Sequence, residues 1–293
     1  MIMEKFLLRL YPRTWRACYE EEFLAMLESR PLSLLDSVNI VYGALDAHLH
    51  PHLGMRGMPV QERSAHLLRT LRQSVFTIFS AYISFVIGGI VYGKMTEETV
   101  ARVMQASALA GASYIIVFAG SIIALLAVLI GGLPLAFATI KRALTGRRIS
   151  SLLLLTVPLI AYVTLFRIPT PPSALFSRGI FPVLFLVEAA ISTAAVCVAI
   201  ARSEIDASLF RFAALPALVA TTTMNVMLVA TLCWGVSLYI SAPSLFIDYY
   251  GFMQANTAGL WVGVAITMTL STSVATLSLV RALSVRSALD ALA

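Results

Sequence analysis

Charge is scarce in this sequence. Only 12% of the residues are Asp, Glu, Lys or Arg, while 59% are hydrophobic and the mean hydropathy is +0.87. That balance excludes an ordinary water-soluble domain and belongs to polytopic membrane proteins. Cysteine is scarce too. Cys18, Cys197 and Cys233 form no CxxC pair and no zinc spacing, so neither a disulfide framework nor a metal centre is expected. Catalytic signatures are missing: there is no HExxH, GxSxG, Walker A or GxGxxG, and no pair of acidic residues in neighbouring apolar runs. The reading is a non-enzymatic protein without a cofactor. The net charge of +6 comes from Lys and Arg flanking apolar runs, with no basic stripe, so no nucleic-acid partner is expected. A signal peptide is not expected either, because the Phe6 to Leu10 run is short, is broken by Arg9 and meets Pro12.

What the chain has in quantity is long apolar runs. Six are long enough to cross a hydrocarbon core, near 72–93, 113–140, 149–166, 179–200, 212–240 and 259–281. The expected fold class is therefore all-α, a polytopic membrane protein of six transmembrane helices preceded by a cytosolic helical hairpin. Of the 21 Lys and Arg residues, 17 lie before the first run or at its first residue, in 141–148, in 201–211 or after 280. The positive-inside rule then places both termini in the cytosol of a multi-pass cell (inner) membrane protein, with the lipid bilayer as its first partner. Tyr92, Tyr114, Trp234, Tyr239, Tyr249, Tyr250 and Trp261 fall at the opposite ends of the runs, as an interfacial aromatic belt would. Thr96, Glu97 and Glu98 read as the start of a helix lying at that surface.

Residues 1–58 form an N-terminal helical module and linker, and 59–293 a juxtamembrane helix with the spans. Within the N-terminal module, Trp15, Tyr19, Phe23 and Leu27 recur every fourth residue, which is the pattern of an amphipathic helix ending near Pro31. Ser33 and Asp36 form a short-chain capping box that opens a second helix carrying Leu34, Val38, Tyr42, Leu45 and Leu49, stopped by Pro51. Helices this short need tertiary partners. An antiparallel hairpin is expected, with Trp15, Tyr19 and Phe23 against Val38, Tyr42 and Leu45.

Tyr11-Pro12, Trp15-Arg16, Tyr19, Glu22-Phe23, Gly43-Ala44-Leu45-Asp46-Ala47 and Leu49-His50-Pro51 resemble the N-terminal segment of a group of bacterial integral membrane proteins without an assigned activity. More distantly they are similar to the helical prefix of some bacterial permeases and to the HAAS-type module beside PadR-like regulators. Cys18 and Glu20 depart from the pattern, where a charged residue and Gly would be expected. The resemblance implies a cytosolic interaction module in front of a membrane domain, with Trp15, Tyr19, Glu22 and Phe23 as the candidate surface for a cytosolic regulatory protein.

Other candidates lie in the spans. Glu188 is the only acidic residue well inside a run, and an ionisable group there is a functional-site candidate by default. Ser192, Thr221, Asn225 and Thr272 could join it in a polar seam that carries a proton, an ion or a small polar ligand. The bland reading is a protonated Glu188 bonded to Asn225 or a hydroxyl, with Ser and Thr as interhelical glue. His48, His50 and His52 alternate around a helix end, a poor arrangement for a metal. Gly89 with Gly93, and Gly259 with Gly263, have the spacing of close helix contacts, within the chain or in a homo-oligomer. The function expected is a membrane-anchored regulatory or sensory protein whose N-terminal helices bind a partner. The alternative is a small permease, or the membrane subunit of a transport complex, using the Glu188 seam.

Overall fold

The computed structural model describes residues 7–28, 34–50, 59–97, 107–146, 206–247 and 257–291, with isolated helical positions between 152 and 199. Among the described residues the regular structure is entirely helical. The helices are α1 (Arg13–Glu28), α2 (Leu34–Leu49), α3 (Val60–Glu97), α4 (Ala108–Thr145), α5 (Ala207–Ser241), the short α6 (Pro243–Ile247) and α7 (Thr257–Asp290). Four of them, α3, α4, α5 and α7, are long and apolar enough to cross a membrane. At 1.5 Å per residue the 38 residues of α4 span roughly 57 Å, against about 30 Å of hydrocarbon, so such a helix extends past the core. Four of the six expected runs fall inside these helices. The runs at 149–166 and 179–200 lie largely outside the described residues.

The chain divides into two compact units, residues 1–75 with 277–293, and residues 76–276. In the second unit α4 and α5 are antiparallel along their whole length. Ser107 Oγ lies 2.7 Å from Ser237 Oγ at one end. Arg142 donates to Asp206 Oδ1 at 2.8 Å at the other. Between them, a Cβ at Gly120 would meet Met227 Cγ at 2.6 Å, and one at Gly131 would meet Pro216 Cβ at 2.9 Å. The buried face of α4 is built of small residues, including Ala110, Gly111, Ser113, Gly120, Ala124, Ala127 and Gly131. Its exposed faces carry Ile115, Ile116, Phe118, Ile122, Ile123, Leu125 and Leu126. Small residues inside and bulky apolar ones outside suit helices that pack in lipid, where close backbone approach replaces the hydrophobic drive.

Local chemistry sets the helix ends. Ser107 has an extended backbone, and its Oγ accepts the Ala110 N–H to cap α4. Gly146 closes α4 by donating to the Arg142 carbonyl. Pro134 and Pro216 lie inside α4 and α5, and Pro216 fills the notch that Gly131 leaves. Thr96 bonds within its own helix. It lies in the last described turn of α3, its Oγ1 donating to the Tyr92 carbonyl at 2.9 Å, and most of the expected surface helix, residues 98–106, lies outside the described residues.

In the first unit, Leu7, Leu8, Tyr11, Leu27, Ile40, Ala44 and Ala47 form a small core, with Trp15, Phe23 and Leu24 against it. Ser284 Oγ on α7 donates to the Leu49 carbonyl at 2.8 Å, tying the end of α2 to that helix. Leu67, Leu71 and Val75 on α3 are buried, as are Ala282, Val285 and Leu289 on α7.

Candidate functional site

The N-terminal module is organised around Tyr11. Its ring stacks on Trp15 with centroids 4.0 Å apart and lies 5.5 Å from Phe23, while Trp15 and Phe23 meet edge to face at 5.4 Å. A Cβ at Gly43 would sit 2.7 Å from the Tyr11 hydroxyl, so the bare backbone of α2 admits the phenol. Burial pushes the Tyr11 pKa above its ordinary value of 10.0. Tyr11, Trp15, Phe23, Gly43, Ala44 and Ala47 of the N-terminal sequence pattern therefore serve first as packing.

The expected hairpin contact is reversed on α2. Val38 is 64% exposed and Tyr42 72%, and Val41 and Leu45 are exposed beside them. Ile40, Ala44 and Ala47 face the core instead. The physical reason is size: Tyr11 occupies the space next to α2, and only Gly43 and Ala44 leave room for it. The larger apolar residues are displaced outward. They form a stripe at positions i, i+3, i+4 and i+7, which periodicity alone would place in the interior.

Trp15, Tyr19, Glu22 and Phe23 do come together. With Met26 they line an open groove of about 270 Å³ along α1. Glu22 in its lining is exposed, as are Glu20 and Glu21 on other faces of α1, and among the described residues none of the three forms an ion pair. The groove thus has an aromatic floor and one carboxylate, Glu22, in its lining. The histidines are engaged locally: His48 Nε2 lies 2.9 Å from the Leu10 carbonyl and His50 Nδ1 lies 2.9 Å from Asp46 Oδ1. His52 lies outside the described residues.

Of the polar seam, the structure places the part on α5 and α7. Asn225 Nδ2 donates to Thr276 Oγ1 at 3.1 Å and to the Thr221 carbonyl at 2.9 Å. Trp261 packs near Thr231 as Thr276 packs near Asn225, so the two helices run antiparallel. Thr221 and Thr272 are then one turn to either side of the Asn225–Thr276 pair. Each is buried, and each hydroxyl lacks a partner among the described residues. Glu188 and Ser192 lie outside the described residues. A Cβ at Gly93 or Gly263 would meet nothing within 4 Å among the described residues, so neither glycine is at a close contact between described helices.

Sequence reading missed the small-residue seam of α4 and the pocket around Tyr92. Both carry signals in hindsight: Gly120, Ala124, Ala127 and Gly131 repeat at helical spacing, and Tyr92 lies between Gly89 and Gly93. No family model, curated protein or solved structure matches this chain.

Proposed function

We propose that this is a membrane-anchored regulatory protein, without enzymatic activity, whose N-terminal helices dock a cytosolic partner at the groove lined by Trp15, Tyr19, Glu22, Phe23 and Met26. Six spans and cytosolic termini belong to the same proposal. Arg63, Arg69 and Arg281, outside the most apolar parts of α3 and α7, suit anionic head groups at the inner surface.

The observation that carries the reading is the groove itself. The candidate N-terminal residues surround one open, aromatic-floored channel with the carboxylate of Glu22 in its lining. That chemistry fits an amphipathic helix with an apolar face and a basic flank. Binding of this kind needs no catalytic group.

The test is site-specific photo-crosslinking from position 26 in the full-length protein, followed by identification of the captured species. Tyr19→Ala and Glu22→Lys should abolish one specific adduct while leaving membrane insertion intact. If the adduct survives both changes and is lost with Tyr42→Ser, the docking face is the exposed stripe of α2 and the groove reading fails.

A second reading, transport, is supported by the Asn225–Thr276 bond and the hydroxyls beside it that lack partners among the described residues. It expects Glu188→Gln to change flux across vesicles at unchanged expression. A regulatory anchor would show no flux to change.

A further inference from the structure

Basic residues gather where α3 begins and α7 ends. Arg63, His66 and Arg69 follow one another at intervals of three along α3, so they share a side of that helix. The charges of Arg69 and of Arg281 on α7 both act on the His66 ring, which places two guanidinium groups from different helices within electrostatic reach of it. Arg69 stands three residues before the apolar run 72–93, and Arg281 closes the run 259–281. Both charges therefore lie at the edge of the apolar zone, where lipid head groups begin.

No carboxylate neutralises this cluster. Among the described residues none pairs with Arg63, His66, Arg69 or Arg281. Arg63 Nε, His66 Nδ1 and Arg281 Nε have no hydrogen-bond partner there either, and burial strips water from the Arg281 guanidinium. The basic end of α4 is different, because Arg142 donates to Asp206 at 2.8 Å. A desolvated guanidinium without a counter-charge is unfavourable, and phosphate is an anion whose oxygens match its fork of donors. Arg69 is exposed and Arg281 partly so, which lets an anion approach from outside. Leu277, one turn before Arg281 on the same face, is also exposed. It offers apolar surface beside the charges, which suits an acyl chain and gives free phosphate nothing.

We propose that Arg69 and Arg281, gathered around His66, hold the phosphate of an anionic phospholipid whose acyl chain lies along Leu277. This rests on the reading that these ends of α3 and α7 lie at the head-group surface, and it turns the general attraction of a basic flank into one site. The site needs no partner at the groove on α1.

Full-length protein in detergent, stripped of lipid, is titrated in turn with dioleoyl-phosphatidylglycerol, dioleoyl-phosphatidylcholine and inorganic phosphate, and native mass spectrometry reads the first molecule bound. Phosphatidylglycerol should bind about tenfold or more tightly than phosphatidylcholine, and excess inorganic phosphate should not displace it. Arg281→Gln should weaken that binding about tenfold and Arg69→Gln roughly threefold to tenfold, as loss of charge-assisted hydrogen bonds would. Arg142→Gln removes the same net charge from a residue already paired with Asp206, and should change the affinity by no more than about twofold. Equal weakening by the three variants is diffuse attraction; it overturns the site and leaves the head-group reading standing. No preference for phosphatidylglycerol in the native chain overturns both. Displacement by inorganic phosphate overturns the lipid as occupant. Arg69 is exposed, so Arg69→Gln keeps the test decisive even if Arg281→Gln does not insert: native affinity in that variant overturns the inference.

Discussion

Trp261 lies against Gly235. Its indole Nε1 donates to the Thr231 carbonyl at 2.9 Å, and a Cβ on Gly235 would collide with the indole ring. The ring is rigid and held by its hydrogen bond, so it cannot yield. Gly235→Ala should therefore lower stability by about 1–3 kcal/mol, the usual range for overpacking. Thermal unfolding of the purified protein reads this as a lower midpoint. Gly263→Ala, where no atom of the described residues lies within 4 Å, should leave the midpoint unchanged. Equal midpoints for the two variants would contradict this packing.

The register of α4 against α5 gives a second prediction. Ser107 and Ser237 touch through their hydroxyls at 2.7 Å. With Cys18, Cys197 and Cys233 replaced by Ser, the double change Ser107→Cys and Ser237→Cys should form an intramolecular disulfide on mild oxidation. Peptide mapping by mass spectrometry would detect it. Pairing Ser107→Cys with Val226→Cys should give none, because that position lies about three turns further along α5. A bond in the second pair and not the first would shift the register by several turns.

Four long membrane-compatible helices were legible because lipid imposes a coarse rule, a long apolar run with charge outside it, and α3, α4, α5 and α7 obey it. Their faces were less legible. In α4 the residues with the strongest hydrophobic signal, such as Ile122 and Leu126, point outward, and the contact is made by Gly120, Ala124 and Gly131. A periodicity of large residues finds the lipid side of such a helix, not its partner. The N-terminal helices misled in a related way. Val38, Tyr42 and Leu45 on α2 read as a core stripe, but Tyr11 takes that space beside Gly43. Nothing in the spacing along α2 announces a side chain arriving from before α1. The groove residues Trp15, Tyr19, Glu22 and Phe23 were legible because they lie on one helix, where spacing alone determines the face.

Thr221 and Thr272 offer a test of what the α5–α7 polar groups are for. Both hydroxyls are buried without a partner among the described residues, an arrangement that does not stabilise the fold. Thr221→Val and Thr272→Val remove the oxygen at nearly constant shape and should leave stability unchanged or raise it by up to about 1 kcal/mol. Asn225→Leu, which breaks the bond to Thr276, should lower it by roughly 0.5–1 kcal/mol. Thermal midpoints compare the three. A clear loss in both threonine variants would mean that these hydroxyls bond to something in the folded protein and that the pair is part of a larger network.

Tyr11 supplies the pH prediction. Its phenol is more weakly acidic in the folded N-terminal module than in an unfolded chain, because burial opposes the phenolate. A raised pKa on an acid favours the folded state while the group is neutral. The contribution is complete below the ordinary value near 10 and is lost as pH rises through the higher folded value. Hydrogen exchange of α1 and α2 should accordingly stay slow up to about pH 10 and accelerate above it, after correction for the intrinsic pH dependence of exchange. Tyr11→Phe keeps the ring stacked on Trp15 and removes the titrating oxygen, so the acceleration should disappear. Gly43→Val would instead force the ring away from α2 at every pH, giving fast exchange already at neutrality. If Tyr11→Phe behaves as the native chain does at alkaline pH, another group controls the opening of α1 and α2. The packing of Tyr11 against Gly43 would then not be the contact that holds α1 to α2.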